Sequence, residues 1–146
     1  MPDHVIIPEF SPPWECFSNF HPSVLIISGK IYPTVEHAYQ ASKALSEAEH
    51  EWVRTALDAR TAKKRGRRVQ LRPNFDNMRI PLMRLFVTMK FTMYTDYRQT
   101  LIGSGNAIIQ EGNWWNDTFW GICRGVGENH LGLLLMEVRD LMLLLP

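Results

Sequence analysis

The segment PTVEHAYQASK, residues 33–43, gathers polar side chains on one face of a predicted helix. Glu36, Gln40 and Lys43 are four and three residues apart, and Tyr39 stands beside Gln40, so these side chains form a polar row. A row of this kind usually faces water. An amphipathic ring such as that of Tyr39 could instead stack on a ligand, which would make the row the wall of an active site. Both interpretations fit the spacing.

A second candidate is the short motif Phe17-Ser18-Asn19-Phe20. Asn19 would offer a hydrogen-bond donor and an acceptor together at the wall of an aromatic pocket. The alternative is a pair of core aromatic residues that flank an asparagine in a turn.

The stretch over residues 60–72 is strongly basic. Arginine binds phosphate through two parallel hydrogen bonds, and Gly66 in the middle would let the backbone approach an anion closely. The candidate phosphate ligands are Arg65, Arg67 and Arg68. A solvated charged surface and a contact with a nucleic-acid backbone are the alternatives.

The fourth candidate is the aromatic segment NWWNDTFWG, residues 113–121. Its tryptophans and phenylalanine could fill a core, or they could form a stacking pocket for a flat heterocycle that includes Trp120. Asp117 could then stabilise positive charge or take a proton, and Glu111 is a second carboxylate nearby.

Length and composition indicate the class of protein that holds these motifs. The chain has 146 residues, which suits one domain over residues 1–146, and its net charge of +1 excludes nucleic-acid binding through overall charge. Cys16 and Cys123 lie far apart, which predicts reduced thiols. The histidines and cysteines lack zinc-site spacing, so we expect no metal. The N-terminus does not resemble a secretory signal, and no apolar run is long enough to span a membrane, so we expect a cytoplasmic protein without a membrane partner.

The predicted fold class is α+β, dominated by helices, with a small hairpin. Thr34 is the expected N-cap of the helix that carries the polar row, and Ser46 begins a capping-box pattern before the next helix. Pro81 fits only a first helical turn, so the following helix is predicted to begin late. The predicted elements are a hairpin over residues 23–32, helices over 35–44, 47–59, 79–94, 97–102 and 129–144, and a strand over 107–111.

Two core faces follow from the periodicity of these helices. The first, within residues 79–94, comprises Leu82, Leu85, Phe86, Met89 and Met93. The second, within residues 129–144, comprises Leu131, Leu134, Leu135, Val138, Leu141 and Met142.

Taken together, the motifs resemble the NADAR superfamily, also called YbiA-like. They occur in the family's order over residues 17–139: F-S-N-F, P-T-V-E-H-A-Y-Q-A-x-K, a basic G-R-R segment, D-x-x-W-G, and G-x-N-x-L-G-x-L-L-M-x-V-R. The resemblance implies an N-glycosidase that cleaves the bond between ribose C1 and a nitrogen and uses no cofactor. It implies one of two substrates: ADP-ribose attached to guanine in DNA or RNA, or phosphorylated intermediates of riboflavin synthesis. A non-catalytic ADP-ribose-binding module would use the same groups.

The resemblance also assigns roles to residues. It makes Glu36, Lys43 and Asp117 the catalytic candidates, with Lys43 able to form a Schiff base with the opened sugar. It places Asn19, Arg67, Trp120 and Asn129 at pocket positions. With the residues that could stack on or bind the substrate, the full set of substrate-binding candidates is Asn19, Phe20, Tyr39, Gln40, Arg65, Arg67, Arg68, Phe75, Trp120, Gly121 and Asn129. Two positions depart from the family pattern: Phe75 stands where the family often has Trp, and Glu128 stands where it often has Lys.

Overall fold

The computed structural model describes residues 4–146, which form two compact units. The terminal unit runs up to Ser18 and resumes at Phe91–Pro146, and the middle unit is Asn19–Lys90. The described residues contain α-helices and short strands in two-stranded sheets, so the prediction of a helix-dominated α+β fold is confirmed. No helix between residues 4 and 146 is both long and apolar enough to cross a bilayer.

The middle unit begins with the predicted hairpin. Its strands β2 (Leu25–Ile27) and β3 (Lys30–Tyr32) pair antiparallel. The first strand in the described residues, β1 (Ile6–Ile7), belongs to the terminal unit. Ser28 and Gly29 both have positive φ, which is the turn geometry whose twist matches a tight hairpin.

Helix α1 (Val35–Ser42) follows, and all of its residues are buried. The Thr34 hydroxyl accepts the His37 backbone N–H, so the predicted N-cap is confirmed. Burial of Glu36, Tyr39 and Gln40 shows that the interpretation of the polar row as a wet surface is wrong. The helix ends two residues earlier than predicted because the chain then pairs with residue 71 through a β-bridge at Ala44.

Helices α2 (Glu47–Arg54) and α3 (Ala59–Gly66) come next. The Ser46 hydroxyl caps α2 as predicted, whereas the Glu49 carboxylate accepts the backbone N–H of Gln70. The helix predicted to run on to residue 59 is interrupted, because Asp58 caps α3 as a separate helix. The basic stretch is therefore largely helical, which the sequence analysis did not predict.

Helix α4 (Phe75–Met93) corrects two predictions. It begins four residues before the predicted start, with Pro81 inside it, because the buried Phe75 ring stabilises an extra first turn that outweighs the missing proline N–H bond. The predicted core face was wrong except for Phe86, since apolar residues surround this helix and periodicity does not single out one side. The buried residues are Phe75, Met83, Phe86, Val87, Lys90 and Phe91.

The terminal unit contains the remaining elements. Strand β1 pairs in parallel with β4 (Ile108–Ile109), and β5 (Gly112–Asn113) pairs in parallel with β6 (Ile122–Cys123). Helices α5 (Thr95–Gly103) and α6 (His130–Met142) confirm the predicted helices with small changes of boundary. The predicted α6 core face is buried except at Leu141, which is exposed.

The imidazole of His37 holds the start of α1 against the end of α2. Its Nε2 lies 3.0 Å from the Ala56 carbonyl oxygen, and its Nδ1 lies 2.8 Å from the Thr34 hydroxyl. A neutral ring with the proton on Nε2 satisfies both contacts, since Thr34 then donates to Nδ1. Burial lowers the pKa of His37 below its ordinary value of 6.5, and the hydrogen bond to Ala56 opposes this only partly.

We therefore expect the free energy of unfolding to decrease as the pH falls below about 6.5, because the unfolded state then binds a proton that folded His37 does not. Urea unfolding between about pH 8 and about pH 5 measures this dependence. His37→Gln should remove part of this dependence of the free energy of unfolding on pH. The remaining dependence should come from His50, whose pKa is also lowered by burial. Replacement of the exposed His4 by Gln is the control; an unaltered dependence in His37→Gln would contradict the prediction.

Candidate active site

The carboxylate of Glu36 is fixed from within α1. Gln40 Nε2 donates to Glu36 Oε1 at 2.8 Å, one helical turn away, and both side chains are buried. The Asn19 carbonyl accepts the Glu36 backbone N–H at 3.1 Å, while the Asn19 amide lies 3.5 Å from Met83 Sδ. In the middle unit Asn19 thus anchors the first turn of α1.

Lys43 caps the C-terminal end of α1 and lies over an aromatic side chain. Its Nζ is 5.4 Å from the centre of the Tyr39 ring, and that ring lies 5.9 Å from the Phe75 ring at a tilted angle. Phe75 is buried, so its ring is a fixed packing partner for Tyr39. Burial lowers the pKa of Lys43 below its ordinary value of 10.5, and the negative charge of Glu36 opposes that shift.

Three cations near Lys43 add to the lowering of its pKa: Arg67, Lys63 and Arg79. Their positive charges disfavour a protonated lysine and would attract an anion to the same place. We call Lys63, Arg67 and Arg79 the cationic cluster. Arg79 was not predicted from the sequence. It lies four residues after Phe75 on α4, and this spacing places both side chains on one face of the helix, which could have indicated it.

The other predicted phosphate ligands have structural contacts. Arg65 donates to the Trp52 carbonyl at 2.7 Å, and its guanidinium lies 5.1 Å from the centre of the Trp52 ring. Arg68 lies 5.6 Å from the same ring, and Lys63 lies 5.8 Å from the ring of Phe20. Arg65 and Arg68 therefore pack on Trp52 of α2. Their contacts with phosphate stay predictions.

Gly66 does not serve the purpose that the sequence suggested. It is the buried last residue of α3, and a Cβ there would lie 2.0 Å from Gln40 Oε1. The expectation that it lets backbone approach an anion is wrong, because its Cα packs on the Gln40 side chain.

In the terminal unit, Asp117 organises the aromatic loop. Its Oδ1 accepts the backbone N–H groups of Phe119 and Trp120 at 3.2 and 2.9 Å. The side chain of Asn113 accepts the Asp117 N–H and donates to the Asp117 carbonyl, which closes the turn from the other side. The rings of Phe119 and Trp120 meet edge to face at 4.8 Å.

Asn129 and Gly121 hold this loop to its neighbours. Asn129 Oδ1 accepts the Glu111 N–H at 3.0 Å, and its Nδ2 donates to the Ile109 carbonyl at 2.9 Å. A Cβ at Gly121 would lie 2.1 Å from the Glu111 carbonyl oxygen, so only glycine fits there. Asn129 and Gly121 therefore stabilise the loop. Their binding of substrate stays a prediction.

The middle unit also contains an open cavity of about 670 Å³ on the other side of α1. Its wall includes Ala38 and Ser42, together with Tyr32, whose hydroxyl lies 2.8 Å from His50 Nε2. None of the predicted site residues lines this cavity. The middle unit brings together Glu36, Tyr39, Gln40, Lys43, Arg67 and Phe75, and the terminal unit brings together Asp117, Trp120, Gly121 and Asn129.

This chain is similar in sequence and in structure to known N-glycosidases. N-glycosidase YbiA of Escherichia coli (strain K12) is 35% identical over 127 residues, which cover 85% of this chain and 79% of YbiA. N-glycosidase Npun_R5314 of Nostoc punctiforme is 36% identical over 134 residues, which cover 88% and 85%. The NMR structure of E. coli YbiA superposes with a TM-score of 0.85 and 33% identity, over 98% of this chain and 87% of that one.

The model of the NADAR domain matches residues 9–143, so the match includes residues of both units. The chain therefore belongs to the NADAR family.

Proposed function

We propose that this chain, a hydrolase of N-glycosyl bonds, removes ADP-ribose from modified guanine bases in nucleic acid. The observation that carries the proposal is Lys43, a lysine with a lowered pKa that is held over an aromatic ring and surrounded by the cationic cluster. The class of hydrolase rests on the N-glycosidases of E. coli and Nostoc punctiforme, which match most of this chain.

The lowered pKa suits Lys43 for attack on a sugar carbon. The lone pair of neutral Nζ forms the new bond to ribose C1, the bond from C1 to the base nitrogen breaks, and the departing nitrogen takes up a proton. The departing nitrogen takes one proton of Nζ; the second Nζ proton then moves to the ring oxygen, the bond between C1 and that oxygen breaks, and a double bond between C1 and Nζ forms as a Schiff base. Water then hydrolyses this Schiff base, which regenerates the lysine amine and releases ADP-ribose.

Glu36 would stabilise the positive charge that develops at C1 as the bond to the base breaks. Its carboxylate is already oriented by Gln40, so little reorganisation accompanies the reaction. The cationic cluster would bind the pyrophosphate, whose negative charges are spread over two phosphoryl groups within reach of several cations. In the terminal unit, Trp120 and Asp117 stay predictions as a stacking ring and a second carboxylate.

A second candidate is supported by the names of more distant relatives. The Riboflavin biosynthesis protein VVA0006 of Vibrio vulnificus is 35% identical over 126 residues, which cover 84% of this chain and 34% of that protein. A phosphorylated intermediate of riboflavin synthesis would present the same ribose C1–N bond and a phosphate to the same residues. We place either reaction in the cytoplasm, since the buried Cys16 and Cys123 form no disulfide within the described residues.

We expect Lys43→Arg to lower kcat by at least about 10³-fold, because arginine keeps the charge and loses the nucleophile. Borohydride added during turnover should reduce the Schiff base and add the sugar mass to Lys43, which peptide mass spectrometry detects. The kcat/KM of the unaltered chain should rise with pH as Lys43 loses its proton, through a pKa below 10.5.

The control is Lys64→Arg, on the exposed side of α3, which should retain normal kcat and normal labelling. Full activity in Lys43→Arg, or absence of the adduct during turnover, would exclude the Schiff-base route.

We expect Asp117→Asn to keep its melting temperature within about 2 °C, because an asparagine oxygen still accepts the two backbone hydrogen bonds. Loss of the negative charge should lower kcat by about 10²-fold. Thermal unfolding and steady-state kinetics measure the two effects, with Asp140→Asn on the exposed side of α6 as the control. Normal kcat in Asp117→Asn would restrict this residue to shaping the loop.

The substrate is tested with a guanine-ADP-ribosylated DNA oligonucleotide and, separately, with a ribosylaminopyrimidine phosphate. We expect mass spectrometry to show loss of the ADP-ribose mass from the DNA and release of free ADP-ribose, with the Lys43→Arg variant inactive. Cleavage of the pyrimidine compound alone would establish the second candidate. Binding of ADP-ribose with no cleavage of either compound would favour a non-catalytic module.

A further inference from the structure

We propose that Gln40 and Gly66 form a clamp that sets the orientation of the Glu36 carboxylate. Gln40 is then a positioning residue and not a contact with the substrate. The inference rests on the proposed function to the extent that Glu36 acts on the reacting sugar.

The first half of the clamp is a directed hydrogen bond. Gln40 Nε2 donates to Glu36 Oε1 at 2.8 Å, and only 4% of Gln40 is exposed. A flipped amide would turn its carbonyl oxygen toward the carboxylate, and the two oxygens would repel each other. The charge of Glu36 therefore selects one orientation of the Gln40 amide.

The second half is the glycine. Gly66 belongs to helix α3, so the position requires glycine for space and not for an unusual backbone conformation. A Cβ would lie 2.0 Å from Gln40 Oε1 and 2.8 Å from Gln40 Cδ, which is closer than real atoms approach. The last turn of α3 thus packs against the Gln40 side chain, and the absence of a Cβ at residue 66 provides the space that the amide occupies while it contacts Glu36.

An unsatisfied acceptor indicates that this arrangement serves more than packing. Gln40 Oε1 is buried and has no hydrogen-bond partner in the part of the chain that the structure describes. Such an oxygen lowers stability, and an apolar side chain of the same size would avoid the loss. Burial of Oε1 also removes it from reach of a ligand, so the useful atom of Gln40 is the Nε2 that contacts Glu36.

The clamp predicts a catalytic defect for a single added methyl group. Gly66→Ala should displace the Gln40 amide, lower kcat by about 10-fold or more and change KM by less than about threefold. Gly103→Ala is a matched control, because Gly103 is also the last residue of a helix and nothing lies within 4 Å of the added Cβ. This control should keep full kcat, as alanine is normally the better helix residue.

Two further variants separate positioning from packing. Gln40→Ala combined with Gly66→Ala removes the two closest contacts of the added methyl group and leaves the contact with the Cβ of residue 40 at 2.9 Å, so the melting temperature should recover in part relative to Gly66→Ala while kcat stays low. Gln40→Glu keeps the shape but replaces the amide donor by a second carboxyl group, so the midpoint of the Glu36 titration, followed by ¹³C NMR, should move to higher pH. Recovery of normal kcat in the double variant, or an unchanged Glu36 midpoint in Gln40→Glu, would overturn the proposal.

A measurement without turnover keeps this inference distinct from the proposed function. The Glu36 carboxyl carbon is titrated by ¹³C NMR in the unaltered chain, in Gly66→Ala and in Gly103→Ala. A midpoint that moves in Gly66→Ala alone supports the clamp even if no tested compound is cleaved. An identical midpoint in all three proteins, with Gly66→Ala folded, would overturn the clamp even if the chain cleaves ADP-ribosylated DNA.

Discussion

The middle unit depends on the complete burial of a short polar helix. All of α1 is buried, although it carries Glu36, His37 and Gln40. Buried polar groups destabilise a fold unless each finds a partner, so the segments around α1 must supply them. The Asn19 carbonyl meets the backbone of α1, and the Ala56 carbonyl meets the ring of His37. The hydrogen bonds that α1 requires therefore fix the positions of the segments that contain Asn19 and Ala56.

Burial also lowers the pKa of the lysine at the C-terminal end of α1. Lys43 extends from α1 into a place where desolvation is the largest cause of its lowered pKa, and the neighbouring cations lower it further. In open water an amine at this position would be protonated and unreactive at neutral pH. The residues that bury α1 therefore also lower the pKa of its lysine, which is the property that the proposed function uses.

Local chemistry explains which parts of this structure the sequence could predict. The hairpin turn at Ser28 and Gly29 and the cap at Thr34 depend on residues a few positions apart, and both predictions are confirmed. The start of α4 was wrong because the rule for Pro81 is local, whereas burial of the Phe75 ring is a tertiary effect. The packing of Gly66 on Gln40 also joins distant segments, so no sequence pattern revealed it.

The two departures from the family pattern are compatible with the proposed chemistry. Phe75 lies buried against Tyr39, where the N–H of a tryptophan would need a hydrogen-bond partner and phenylalanine needs none. Glu128 is exposed, and its carboxylate lies 3.4 Å from His130 Nε2. Loss of a cation at residue 128 leaves the cationic cluster intact, since that cluster comes from α3, its C-cap Arg67 and α4. The proposed binding of phosphate therefore depends on the cationic cluster near Lys43.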